Sequence, residues 1–204
     1  MLNTLISGLG GQVNTIAFAV LSGVIGFLAK AVYDLWMARR KDKLDRVNHQ
    51  LRCLYGPLFS LVNVATITWH AFQLEFCENA DFQINGGIMP QTPSAEAVWR
   101  HWMQNVFMPL NLQMAELITK NADLLEGHLM PDCLLLLSAH VYGYKGILAA
   151  WEKGDCSRHM SLTHFPLDEL YPYVDVTYRK LKTRQTRLIG KNQWLMFLPV
   201  AKSD

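Results

Sequence analysis

Charge is scarce in this chain. Asp, Glu, Lys and Arg make up 18% of its 204 residues, against about 25% in an average soluble domain. From Val13 to Ala29 there is no charged residue at all. Long apolar runs are scarce after that: beyond Met37 no run of 18 apolar residues recurs. This excludes a multi-span transporter, because each crossing helix needs about 20 mostly apolar residues. The four cysteines, at 53, 77, 133 and 156, include no CxxC pair. Their number would allow two disulfides, but the topology derived below favours single buried thiols.

Catalytic signatures are missing too. There is no ExxH, which a helical di-iron site requires on two helices. HExxH and Cys/His zinc spacings are absent. So are GxSxG, the phosphate-binding GxxxxGK and GxGxxG. The sequence therefore points to a non-enzymatic protein, with no catalytic residues, metal, cofactor or small-molecule substrate expected. It contains no internal repeat and no low-complexity segment.

The organising stretch is Gln12–Met37, QVNTIAFAVLSGVIGFLAKAVYDLWM. It is long enough to span a bilayer core if Lys30 snorkels its ammonium to the interface. Trp36 marks the far end, and Arg39, Arg40 and Lys41 follow at headgroup level. A cleaved signal peptide would carry its basic residues before the apolar run, and here the order is reversed. A buried core helix is the other reading, and the Lys30/Asp34 spacing of i,i+4 is what supports it. Ser22, Gly23 and Gly26 would let two spans approach closely, although glycine is also simply common in spans.

The distribution of charge sets the orientation. Residues 39–52 carry a net charge of +4, residues 53–178 carry −8, and residues 179–204 carry +6. The positive-inside rule puts residues 38–204 in the cytoplasm and the N-terminus outside the inner membrane. The expected domains are an N-terminal segment with its anchor (1–37), a basic stalk helix (38–56) and a cytoplasmic bundle (57–204).

The remainder reads as helix. Leu44, Val47, Leu51 and Leu54 form an apolar stripe along the stalk. Gly56–Pro57 should kink or break it and act as a hinge. A helix over Pro57–Cys77 follows, then a loop over 79–93. A helix capped by Thr92 or Ser94 comes next, kinked at Pro109 and resuming with Leu110, Met114, Leu117, Ile118 and Leu125. The helix from Pro131 to Gly154 is apolar almost all round, the mark of a central bundle helix. The last helix covers Leu167–Phe197. The expected fold is all-α: a transmembrane helix continuing into a stalk, then a bundle of four to five helices.

QLRCLYGPL (50–58, a QLRxLYGPL pattern), FMPLN (107–111), AHVYGYK (139–145) and LKTRQTRLIG (181–190) resemble segments of a set of bacterial proteins of uncharacterised activity. These have one N-terminal span and a cytoplasmic helical region. The resemblance covers most of the chain after Arg46 and implies no particular activity. Some similar small membrane proteins are anti-phage effectors or accessory subunits, which makes defence one setting to consider.

Two groups of residues invite a functional reading. Lys180, Arg184, Arg187 and Lys191 fall on one stripe of the last helix, with Val174, Tyr178, Leu181 and Leu188 nearly opposite. Such a helix can lie against anionic lipid or contact phosphates, and it is equally the solvated face of a bundle helix. The tail WLMFLP (194–199) would need cover from lipid, a neighbouring subunit or the bundle. His140 and Tyr144 share a face at i,i+4, which suggests a buried hydrogen-bonded pair, with Glu116 or Asp123 as an acidic partner. The expected partners are the lipid bilayer and a second copy or another protein, with nucleic acid left open. The expected action is recruiting or sensing a partner at the inner membrane, or perturbing that membrane. The alternatives are an enzyme of unrecognised type near His140 and Tyr144, and a nucleic-acid-linked defence component using the basic last helix.

Overall fold

The computed structural model describes residues 2–77, 81–84 and 88–196. The protein is all-α and divides into two compact units, Met1–Arg46 and Val47–Asp204. Its helices are α1 (Leu2–Gln50), α2 (Gly56–Phe76), α3 (Pro93–Trp102), α4 (Met108–Lys120), α5 (Asp132–Glu152) and α6 (Leu167–Met196). A short antiparallel hairpin, Phe82–Ile84 with Ile88–Pro90, lies between α2 and α3. It occupies part of the stretch expected to be loop.

In the second unit α2 packs against both α4 and α6, and α5 packs on α4 and, less extensively, on α6. The core is built on stripes. Leu58, Val62, Ala65 and Phe72 point inward from α2, Met114 and Ile118 from α4, Leu134, Leu137 and Val141 from α5, and Leu170, Val174 and Leu181 from α6. Phe72 is fully buried among the rings of Trp69, Phe76, Phe82, Trp99, Trp102 and Phe107, with centroids 5.0–6.0 Å away. Most of these meet edge to face, the arrangement that the ring quadrupole favours.

Neither proline breaks its helix. A π turn, Leu51–Tyr55, joins α1 to α2, and another, Met103–Phe107, joins α3 to α4. Pro57 and Pro109 each occupy the second residue after the turn. A proline offers no N–H to the carbonyl four residues back and clashes with it. Widening the preceding turn to i→i+5 bonding accommodates that defect. The bonds that close these turns run from Gly56 N–H to the Leu51 carbonyl and from Met108 N–H to the Met103 carbonyl. Gly56 and Pro57 thus lie inside a continuous helical path, with Tyr55 and Leu58 fully buried on either side.

α3 begins as the sequence predicts. Thr92 Oγ1 accepts from Ala95 N–H at 3.2 Å, and Pro93 fills the first turn. α5 differs from expectation. Only one of its faces is buried, while Leu135 and Tyr142 are about half exposed on the other. It is a flanking helix, not the centre of the bundle. It ends at Lys153–Gly154, where Gly154 has a φ of +84°, a conformation glycine adopts without Cβ strain.

Two glycines should respond oppositely to alanine. A Cβ on Gly56 would collide with the Leu51 carbonyl oxygen, which is backbone and cannot move aside. Gly56→Ala should cost about 1–3 kcal/mol, as overpacking does. Nothing lies within 4 Å of a Cβ on Gly146 in α5, so Gly146→Ala should stabilise by about 0.5–1 kcal/mol. Urea midpoints of the two variants, measured in the same detergent, check both signs.

Candidate functional site

In the first unit the described side chains of the predicted anchor, from Phe18 to Met37, are exposed except Ala31 and Met37, which are partly covered. Val20, Leu21, Val24, Ile25, Phe27, Leu28 and Val32 are all exposed, Phe27 to 73%. Lys30 Nζ bonds Asp34 Oδ2 at 2.6 Å, with both side chains mostly exposed. The pair does not sit inside a protein core, which was the ground for the alternative reading. Arg40 is buried, with its guanidinium 5.6 Å from the Trp36 ring centroid, and Tyr33 packs beside Trp36. Arg39 and Lys41 are exposed. Two helical stretches are long and apolar enough to cross a membrane, Val20–Phe76 and Asp132–Glu152. They differ in burial: none of the most apolar window of the first is covered, whereas 39% of the second is.

In the second unit polar side chains converge on the two long loops. The loop between α5 and α6 is held by the face that carries His140 and Tyr144. His140 Nδ1 donates to the Thr163 carbonyl at 2.7 Å. Tyr144 Oη donates to the His159 carbonyl at 2.5 Å. Trp99 Nε1 divides its proton between the same carbonyl, at 2.9 Å, and Tyr144 Oη, at 3.1 Å. From the last turn of α5, Trp151 Nε1 donates to the Arg158 carbonyl at 2.8 Å. The His140 and Tyr144 rings do lie side by side, with centroids 5.6 Å apart. Their hydrogen bonds, however, go to backbone carbonyls and not to each other, and Glu116 and Asp123 are exposed. Burial pushes the His140 imidazole below its ordinary pKa, against the raising effect of the Thr163 carbonyl, and His164 lowers it further. Burial likewise drives the Tyr144 phenol well above its usual range. Both shifts favour the neutral, donating form of the group.

The loop between α4 and α5 is held in the same manner. Gln50 Nε2 donates to the Leu124 carbonyl at 2.9 Å, and Glu126 N–H donates to Tyr55 Oη at 3.0 Å. Tyr55 Oη also bonds Tyr173 Oη at 2.9 Å. Lys180 Nζ and Arg184 Nη1 reach the Glu126 carboxylate at 2.9 and 3.5 Å. The Lys180 hydrogen bond is the main cause that holds this carboxyl below the usual range, and burial works against it. Two members of the predicted basic stripe thus meet a loop carboxylate while staying exposed, as Arg187 is. The side chains of Lys191 and of the WLMFLP tail lie outside what is described. The opposite face matches the sequence reading: Val174 and Leu181 are buried, and Tyr178 stacks on Phe59 at 4.4 Å.

A shallow open hollow of about 370 Å³ is lined by Asn48, Arg52, Gly56, Tyr178, Lys182 and Gln185. Three of its polar groups are engaged with one another. Gln185 Nε2 donates to Asn48 Oδ1 at 2.7 Å, and Lys182 Nζ donates to Gln185 Oε1 at 2.8 Å. Among the described residues, no group of three His, Cys, Asp or Glu side chains is placed to hold a metal ion. Comparison with protein-family models, with curated proteins and with solved structures gave no match.

The shared carbonyl makes a coupled prediction. Tyr144→Phe alone should cost about 1 kcal/mol, because Trp99 still donates to His159 O. Tyr144→Phe with Trp99→Phe leaves that carbonyl without a donor, and should exceed the sum of the single losses by about 1–3 kcal/mol. A double-mutant cycle from urea melts measures the excess. His140 predicts a pH effect. Its folded pKa lies below the unfolded value of about 6.5, so the unfolded chain binds the extra proton. The stability it contributes is complete above that value and is lost as pH falls through it toward the folded pKa. His140→Gln should therefore shrink the drop in urea midpoint between pH 7.5 and pH 5.5.

Proposed function

We propose that the protein is a single-pass, membrane-tethered interaction module: α1 holds it in the inner membrane, and the helical unit in the cytoplasm recruits or senses a partner. The observation that carries this reading is the exposed apolar stretch of α1 between Phe18 and Trp36. An apolar helix with no uncovered polar face needs an apolar surrounding, and lipid supplies one. The magnitudes agree. Val13–Ala29 contains nine Val, Ile, Leu and Phe residues, which contribute about −3 to −5 kcal/mol to insertion. Lys30 would cost about 2.5–3.5 kcal/mol at the bilayer centre. It lies at the end of the run, where its stem can reach the interface and Asp34 offsets its charge. The positive flank at Arg39–Arg46 orients the chain with its N-terminus outside.

α5 passes the same length test, but its inward face carries Leu134, Leu137 and Val141 into the core, so extracting it into lipid would dismantle the bundle. An enzymatic reading is not favoured, because His140, Tyr144 and Trp99 are committed to holding a loop. Defence against phage is one setting for a module of this kind, and it rests on the resemblance alone.

The full chain should stay in the membrane pellet after alkaline carbonate extraction. In spheroplasts, external protease should remove an N-terminal tag and leave residues 38–204 intact. Recovery of the full chain in the soluble fraction overturns the anchor, and digestion of the helical unit from outside overturns the orientation.

A further inference from the structure

The outward face of α2 has a pattern that the core does not explain. The exposed residues Pro57, Ser60, Val64, Ile67, Ala71 and Leu74 are spaced 3, 4, 3, 4 and 3 apart. That is the alternation of the a and d positions of a coiled-coil heptad. Ile67 and Leu74 are each 69% exposed and Val64 is 45% exposed. The core side chains Leu58, Val62, Ala65 and Phe72 fall at b and f of the same frame, on the other side. α2 thus has one apolar face committed to the bundle and a second, exposed seam that is apolar at Val64, Ile67, Ala71 and Leu74.

We infer that this seam pairs with α2 of a second copy of the chain, in parallel. The polar residues that flank the seam select this occupant. His70 and Glu75 are the only ionisable side chains on α2, and both are exposed. In the heptad frame His70 is a g residue and Glu75 is the e residue five positions on. A parallel pair of helices brings g of one chain against the following e of the other, so His70 meets Glu75 of the second copy on both sides of the dyad. Asn63 and Thr68 repeat that spacing one heptad earlier and supply a polar pair. An antiparallel pair would set g against g and e against e, which places like beside like. The seam carries no charge, so self-pairing buries none.

The seam is short, and the apolar area it offers is small for a stable interface in dilute solution. Confinement of both copies to one membrane raises their effective concentration. In this respect the inference rests on the anchor reading, and parallel pairing suits two chains held in the same leaflet orientation.

Thiol crosslinking of the full chain in membrane vesicles, with a short bismaleimide, tests it. Ala71→Cys puts a thiol in the seam and leaves the flanking apolar residues in place. Ala149→Cys, exposed on α5, gives the level of random collision, and the native chain gives the background from its own thiols. The expected result is a dimer band for Ala71→Cys at least about fivefold above both controls. Adding Ile67→Glu should return it to control level, with an unchanged melting curve because Ile67 is outside the core. Adding His70→Glu should reduce it by setting two carboxylates together, and His70→Glu with Glu75→Lys should restore it. Equal bands for Ala71→Cys and Ala149→Cys, indifference to Ile67→Glu, or no rescue by the charge swap each overturns the pairing. Carbonate extraction of the same vesicles tests the anchor separately, so the two readings fail by different measurements.

Discussion

The hydroxyl of Tyr55 is the point on which the second unit depends. It is the last residue of a π turn, fully buried, and its oxygen meets the Glu126 amide and the Tyr173 hydroxyl together. A helix entry, the loop between α4 and α5, and the last helix are thus tied by one atom. The arrangement requires a buried polar group with satisfied partners, since an orphaned one would cost about 1–3 kcal/mol. Glu126 extends the tie outward through Lys180 and Arg184. The contribution of those exposed cations is small, as surface ion pairs generally are. The buried hydroxyls and amides set the geometry, and the charges decorate it.

The second loop repeats the solution with different chemistry. Indole and imidazole N–H groups, joined by a phenol, donate to backbone carbonyls that would otherwise be left without partners near the core. Both loops are therefore held by side chains that reach from helices to backbone, the first around a short 3-10 turn at Ala122–Leu124. The aromatic cluster around Phe72 is apolar and mostly edge-to-face, and Trp99 links it to the second loop. The unit is held by packing in the middle and by polar staples at its loops.

Much of this was legible in the sequence, and the boundary has a physical explanation. Period and caps are local. Pro93 after Thr92, Gly154 after Glu152 and the Val174/Leu181 stripe therefore gave the start of α3, the end of α5 and the inner face of α6. The prolines at 57 and 109 were visible, but a missing N–H can be accommodated by a break or by a widened turn, and only the packing of Tyr55 and Phe107 decides between them. The same limit applied to His140 and Tyr144. Their spacing showed that they share a face, but their partners are carbonyls 15 and 23 residues away, which no helical period encodes. Glu126 lay in a short turn with no feature to link it to a helix more than fifty residues on. For α5 the apolar composition exceeded what its one buried face uses, so composition overstated its burial.

The Trp99 and Trp151 indoles donate to carbonyls of one loop from two different helices. Their emission is therefore sensitive to whether that loop is docked. Release of residues 153–166, with the helices still intact, would take a carbonyl partner from each ring nitrogen and shift the intrinsic fluorescence to the red while the far-ultraviolet circular dichroism stayed constant. The chain thus carries a built-in optical reporter of one loop, readable without a label, through which the binding of a partner on that side of the bundle could be followed.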